Sequence, residues 1–384
     1  MNDGMEVGFV YDERFLQHNP GLEMFPGATG PVPTPFVEPV LHPSNHRLVM
    51  RTKHLMDLSG LMKHVRLIEP NPATPEQLAR FHTPEYIEHV RQLSLQGQGD
   101  AGEHAPVGPG SFDVALLAAG GGICAVDAIL RGQVRRAYVN CRPPGHHALP
   151  DRGMGYCLFN NIVIAARHAQ NAHQIRRILV VDWDVHHGNG TQAAFYHDPL
   201  VLFASIHQDG LYPDDDGLLQ QTGGATAIGT TVNIPLPAGC GDAAYRAAFE
   251  RILLPVAREF RPQLILVSAG QDASTMDPEG RMCLSTEAYR WMTAALMDLA
   301  DELCEGRLIL LQEGGYSETY APYCTLAIVE SLTGIRTRIP EPLDPETLRA
   351  RPDILNISPG AEAALCAAES AHAAHWPVLA RGPG

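Results

Sequence analysis

Residues 182–190, DWDVHHGNG, crowd carboxylates, imidazoles and an amide at the end of an apolar run, Ile178 to Val181. Side chains of an extended backbone alternate with a period of two, which turns Asp182, Asp184 and His186 to one side. Two carboxylates and an imidazole packed together repel and desolvate one another unless a cation neutralises them. A divalent metal does this, and an Asp/His set with few ligands suits catalytic zinc. A polar loop of satisfied core histidines explains one such His better than it explains the cluster. Asp272, directly after the apolar run LILVSAG, supplies a third candidate ligand, although an Asp after a strand also serves as a cap or turn former. RPPGHHA, residues 142–148, is a proline-stiffened turn that presents His146 and His147 in tandem. EGGY places Tyr316 on a loop that Gly314 and Gly315 make flexible.

Those residues need a scaffold that gathers loops. The run ILVV has no polar alternation, as in a strand covered on both faces. Similar runs predict strands over Val7 to Tyr11, Leu67 to Glu69, Ala137 to Cys141, Leu200 to Ile206, Thr231 to Pro235, Leu264 to Ser268 and Leu308 to Gln312. Helical patterns cover Asn45 to Leu58 (with Ser44 placed to cap it), Ser111 to Leu130, Asn160 to Ala172, Ala243 to Glu259, Thr286 to Leu303 and Ala321 to Leu332. Thr74 and Thr83 each precede a proline and a further helical pattern. Strands alternating with helices argue for an α/β fold with a parallel sheet between helices, whose sites lie at the carboxyl ends of its strands. Every chemically loaded stretch falls at such an end. The proline- and glycine-rich stretch Asn19 to Pro43 and the polar stretch Gly97 to Gly110 are expected loops, the first long enough to be functional or interfacial. From Ile339 the chain turns proline-rich and then alanine-rich, a surface-packed extension over 340–384. We expect one domain over 1–384, its motif-bearing core at about 104–335.

The composition is that of a soluble globular protein: 384 residues, 45% hydrophobic and 18% charged. A formal net charge of −15 argues against nucleic acid and is compatible with cationic substrates. Eight scattered cysteines without a CxxC pair read as free thiols of a reducing compartment, and the amino terminus lacks the pattern of a signal peptide. No stretch reads as a membrane span, so the expected location is cytoplasmic.

Taken together, RPPGHHA, GMGYCLFNN, DWDVHHGNGTQ, SIHQDG, SAGQDA and QEGGYS resemble the histone deacetylase and acetylpolyamine amidohydrolase family, and more narrowly its bacterial class II amidohydrolases. The resemblance implies the arginase–deacetylase fold, a three-layer α/β/α sandwich with a mainly parallel sheet. It implies zinc ligands Asp184, His186 and Asp272. It makes His147 the general base and then acid, facing Asn189, and His146 its electrostatic partner, oriented by Asp182. It makes Tyr316 the hydrogen-bond donor to the oxyanion. It further implies structural K+ held by Asp182, Asp184 and Ser205 with backbone oxygens of His186 and Ile206. A second monovalent site would use carbonyls near Phe195, Asp198 and Val201. Relatives form dimers and tetramers, so a homo-oligomer is expected.

Three features bear on substrate. Gly155, Tyr156 and Tyr212 fall on the tunnel wall, where class II relatives usually carry Phe in place of the two tyrosines. Their rings can flank an alkyl chain and attract a cation. Glu279, in DPEG, stands where lysine deacetylases of this class have Leu and where the polyamine-specific eukaryotic relative has a gatekeeper Glu. His104 aligns with the rim Asp that holds a peptide backbone in many lysine deacetylases, and an imidazole cannot accept two backbone N–H groups as a carboxylate does. The resulting expectation is zinc-dependent removal of acetyl groups from N-acetylated polyamines or related small acetylated amines. Deacetylation of acetyl-lysine in proteins or peptides is the near alternative. A catalytically weak acyl-lysine binding protein and an arginase-like dinuclear enzyme are the more distant ones.

Overall fold

The computed structural model describes residues 6–23, 38–344, 346 and 351–380. The apolar runs become β1 Val7–Val10, β2 Arg66–Ile68, β3 Arg136–Val139, β4 Ile178–Asp182, β5 Val201–Gln208, β6 Thr231–Leu236, β7 Leu264–Ala269 and β8 Leu308–Gln312. They form one eight-stranded sheet, ordered β6-β5-β4-β7-β8-β3-β1-β2. Each pairing in it is parallel. Helices Ser111–Leu130 and Asn161–His173 pack together on this sheet, as do Thr286–Leu303 and Ala321–Thr333, which gives the three-layer α/β/α arrangement. All residues of β4, β5, β7 and β8 are buried, because both faces of a parallel sheet are covered by helices.

A parallel sheet delivers the carboxyl ends of its strands to one edge. SIHQDG, DWDVHH, SAGQDA, QEGGY and RPPGHH lie at or after the ends of β5, β4, β7, β8 and β3, which are consecutive strands of the sheet. The motifs scattered along the sequence are therefore contiguous in space.

Several local expectations change. Ser44 does not cap the first helix, which runs Arg47–Leu58 without a side-chain cap. The Ser44 carbonyl instead accepts from the Arg142 guanidinium, and Asn45 Oδ1 accepts from the Arg47 N–H at 2.9 Å. Thr74 and Thr83 do cap, accepting from Gln77 and Tyr86 N–H groups. The expected 243–259 helix is three pieces, Asp242–Ala248, a wide π turn Phe249–Leu253, and Leu254–Phe260. Pro255 explains the break, since it has no N–H to donate back into the preceding turn.

Ser111–Leu130 is long and apolar enough to cross a membrane, contrary to expectation. Its apolar surface has another cause: it is buried between the Asn161–His173 helix and the sheet. Within the 340–384 stretch, helix Pro359–Ala373 packs on β6 and adds Ala361, Leu365 and Ala368 to the core. The central part of the Asn19 to Pro43 stretch, residues 24–37, lies outside the described residues.

Candidate active site and metal centre

β4 ends at Asp182, and the chain then bends instead of extending. Strand alternation is therefore not what gathers the acidic residues. Two short side-chain turns do: the Asp184 N–H donates to Asp182 Oδ1 (3.2 Å) and the His186 N–H to Asp184 Oδ1 (3.0 Å). The Val185 N–H donates to Asp272 Oδ1 (2.8 Å), tying this loop to the one after β7. His186 Nδ1 then stands 3.1 Å from Asp184 Oδ1 and 3.3 Å from Asp272 Oδ2.

One ligand atom from each of Asp184, His186 and Asp272 lies within 4.8 Å of the others. Asp184 and Asp272 are completely buried, and Asp272 Oδ2 has no hydrogen-bond partner. Burial, and after it the Asp184 carboxylate, push the Asp272 carboxyl upward. Two buried carboxylates facing one imidazole, with an unclaimed carboxylate oxygen among them, fit a divalent cation such as zinc.

Gly314 closes the cluster from β8. Its N–H donates to Asp184 Oδ2 at 2.8 Å, and a Cβ there would stand 2.0 Å from Asp272 Oδ2. This glycine permits close approach of the backbone to the carboxylates, which the expected loop flexibility does not describe. Gly314→Ala should displace Asp272 and weaken zinc retention by on the order of 10–100-fold, the usual cost of losing ligand support. Zinc content after dialysis against graded chelator measures this, and wild-type retention would refute it.

The tandem histidines have different partners. His146 Nδ1 lies 3.0 Å from Asp182 Oδ2, and His147 Nδ1 lies 2.8 Å from Asn189 Oδ1. Burial alone would depress His146, but the Asp184 and Asp182 carboxylates raise it well above the ordinary range. Burial, followed by His146, holds His147 well below it. Two adjacent imidazoles are thus driven apart, one towards the cation and one towards the neutral base.

Three contributors were not singled out from sequence: Glu313, Arg142 and Thr191. Glu313, at the end of β8, accepts the N–H groups of Gly145 (2.6 Å) and His146 (3.1 Å), which fixes the histidine turn from below. The buried Arg142 guanidinium donates to the carbonyls of Phe15, His18 and Ser44 and anchors the other end of that turn. Asn189 opens a short helix, Asn189–Phe195, whose Thr191 N–H donates to His146 O at 3.1 Å. Their only signal in the sequence was a position inside the motifs.

Beside the candidate metal ligands is a cavity of about 320 Å³ lined by His104, His147, Gly155, Tyr156, His186, Leu211, Tyr212, Glu279 and Tyr316. All the expected substrate-contacting residues meet there, with Leu211 in addition. Tyr156 lies edge-on to Tyr316 (centroids 5.6 Å apart), and Tyr212 edge-on to His147 (5.1 Å). The position of the exposed His104 follows from a short strand pair, Gly102–Glu103 with Gly153–Met154, extended by Tyr156 N–H donating to His104 O at 2.7 Å. Gly155 has φ +49, and a Cβ on it would stand 2.5 Å from the His147 ring.

Asp182 and Ser205 are register partners across β4 and β5, and both are fully buried. Ile206 follows within β5. Phe195, Asp198 and Val201 form a separate turn, in which the Asp198 N–H donates to Phe195 O and the Val201 N–H to Asp198 O.

Among the described residues, two other groups have ligand-like spacing. In Asp127, His168 and His173, both imidazole Nε2 atoms lie 2.7–2.8 Å from Asp127 Oδ1, while Arg131 pairs with Oδ2 and Arg80 reaches His168 Nδ1. That group is neutralised by its own cations. In His146, Cys157 and Glu313, one carboxylate oxygen is taken by backbone amides, and burial raises the Cys157 thiol far above the thiolate range.

The chain is similar to known proteins in sequence and fold. A family model described as the histone deacetylase domain matches residues 42–332. The chain belongs to the histone deacetylase family. It is 43% identical to the histone deacetylase-like amidohydrolase of Pseudomonas aeruginosa over 340 residues, 88% of each chain. It is 38% identical to a probable deacetylase of Archaeoglobus fulgidus, over 91% of this chain and 93% of that one. The human polyamine deacetylase HDAC10 is 39% identical over 72% of this chain, which spans 42% of that larger protein. Among solved structures, the HDA15 HD domain superposes with a TM-score of 0.83 at 29% identity, covering 98% of this chain and 97% of that one. The sheet and its helical layers are therefore the arginase–deacetylase α/β fold, and the chain is a deacetylase-type amide hydrolase.

Proposed function

We propose that this histone deacetylase-family enzyme hydrolyses N-acetylated polyamines, or related small acetylated amines, to the free amine and acetate. Zinc held by Asp184, His186 and Asp272 would supply Lewis acidity, polarising the amide carbonyl and acidifying water. His147 is the base: with Asn189 Oδ1 as acceptor, Nδ1 carries the proton and Nε2 keeps its lone pair for the water's proton. The same nitrogen then protonates the departing amine. His146, on Asp182, remains cationic and supports the negative charge that develops. Tyr316 donates a hydrogen bond from its hydroxyl to the oxyanion. Asp182, Asp184, Ser205 and the backbone oxygens of His186 and Ile206 would hold K+, with a second monovalent ion at Phe195, Asp198 and Val201. The same reading takes the 384 residues as one cytoplasmic domain that assembles as a dimer or tetramer.

The observation that carries the substrate class is Glu279 on the wall of a cavity flanked by two tyrosine rings. Burial raises its carboxyl above the ordinary range; His186 opposes this and Glu23 adds to it. A primary or secondary ammonium beside it would relieve both the burial and the repulsion. Peptidic acetyl-lysine presents no such charge at the same distance.

We expect kcat/KM to favour N-acetylputrescine and N8-acetylspermidine over an acetyl-lysine peptide, and Glu279→Leu to erase or reverse that order by roughly 10-fold or more. A peptide-preferring wild type unaffected by Glu279→Leu would instead establish an acetyl-lysine deacylase, and absence of turnover an acyl-lysine binder. The pH dependence has a sign. Pairing with ammonium needs the carboxylate, so the cationic preference is present above the raised Glu279 pKa. It is lost as pH falls through that pKa, earlier than an ordinary glutamate would allow.

A further inference from the structure

DPEG, residues 277–280, contains a second carboxylate that points away from the cavity. An Asp before Pro readily turns its side chain onto the backbone two residues on, because Pro278 fixes its own φ and offers no N–H. Asp277 does this: its Oδ1 accepts from the Glu279 N–H at 3.0 Å. The other oxygen crosses to the loop after β8, where Oδ2 accepts from the Tyr316 N–H at 2.6 Å and the Ser317 N–H at 3.0 Å.

The two loops have separate origins, after β7 and after β8. The DPEG loop is also held by the Asp277 N–H donating to Ser274 O and, from the end of β5, by Gln208 Oε1 accepting from the Arg281 N–H. Gly315, just before Tyr316, has φ +128, a backbone conformation that residues with a Cβ rarely adopt. Both loops end in side chains that line the same cavity.

We propose that Asp277 is a positioning residue that couples substrate selection to catalysis, one carboxylate setting both the gatekeeper Glu279 and the oxyanion donor Tyr316. This rests on the polyamine reading for the role of Glu279. Hydrogen bonds from three backbone amides to one carboxyl group fix both loops to one point, so a shift of either residue moves the other. An asparagine cannot replace it: its NH₂ would face the N–H of one loop or the other.

The test uses the full-length zinc enzyme with N-acetylputrescine and its uncharged isostere N-pentylacetamide. Asp277→Asn should lower kcat on both by at least 10-fold and reduce the cationic-to-neutral ratio of kcat/KM by at least fivefold. In a Glu279→Leu background the same change should still lower kcat but leave that ratio where Glu279→Leu alone sets it. Leu365→Ala, a core cavity far from DPEG in sequence, controls for lost stability and should leave the ratio unchanged. If Asp277→Asn is insoluble, Asp277→Ser, which keeps one acceptor, goes through the same assays. Wild-type kcat, or a ratio unaltered by either Asp277 variant, overturns the proposal. A wild type with no cationic preference sinks the polyamine reading alone. An acetyl-lysine peptide then replaces acetylputrescine in the ratio, and the Asp277 criteria stand as written.

Discussion

His147→Ala should lower kcat by about 10²–10⁴, the contribution of a positioned general acid–base, while zinc content and melting temperature remain near wild type. The size follows from how far the fold goes to keep this imidazole neutral and correctly tautomerised. Its Nδ1 is 2.8 Å from an amide oxygen that can only accept, so the other nitrogen is left as the base. Burial and the neighbouring His146 keep protonation well below the ordinary range. His146→Ala should cost less, because in the proposed mechanism that ring acts through charge and not by moving the proton. Steady-state kinetics on zinc-quantified protein decide the order. A His146 variant more damaged than the His147 variant would reverse the assigned roles.

The scaffold was legible because parallel strands buried on both faces must be continuous apolar runs. Ile178–Asp182, Leu264–Ala269 and Leu308–Gln312 are built on such runs, and within three residues of each end comes a carboxylate that no core would tolerate unpaired. Asp184, His186 and Asp272 were visible for the same reason.

What was not legible depends on sheet order. Glu313 holds the Gly145–His146 turn because β8 lies beside β3, a neighbourhood that no spacing in the chain encodes. Gly314 looked like a hinge residue, since sequence cannot distinguish a glycine needed for flexibility from one needed for close approach. The helix Asn189–Phe195 begins Asn-Gly, a pair that favours turns, and it forms because tertiary bonds to His146 and His147 override that preference. Ser44 was read as a cap when its carbonyl was the feature in use, recruited by an arginine nearly a hundred positions away. In each case a local rule lost to a contact made by a distant strand end.

Tyr316→Phe should lower kcat by about 10²–10³, equivalent to about 2.7–4 kcal/mol, with KM little changed. The tyrosine is only 8% exposed, its ring is set edge-on against Tyr156, and its backbone N–H is fixed by Asp277. Phenylalanine keeps the ring, the packing and the backbone, so the loss isolates the hydroxyl. Burial, and after it the Asp272 and Asp184 carboxylates, raise the phenol well above its ordinary range. The neutral phenol is the form that donates, and its bond to the oxyanion is stronger than its bond to the ground-state carbonyl. An effect confined to KM would make Tyr316 a ground-state binding residue. If the loss in kcat were matched by a loss of zinc, it would be a support of the metal cluster. Only a fall in kcat at full zinc occupancy assigns it to the transition state. The same measurement on Asp277→Asn then shows how much of that stabilisation depends on the backbone that holds Tyr316 in place.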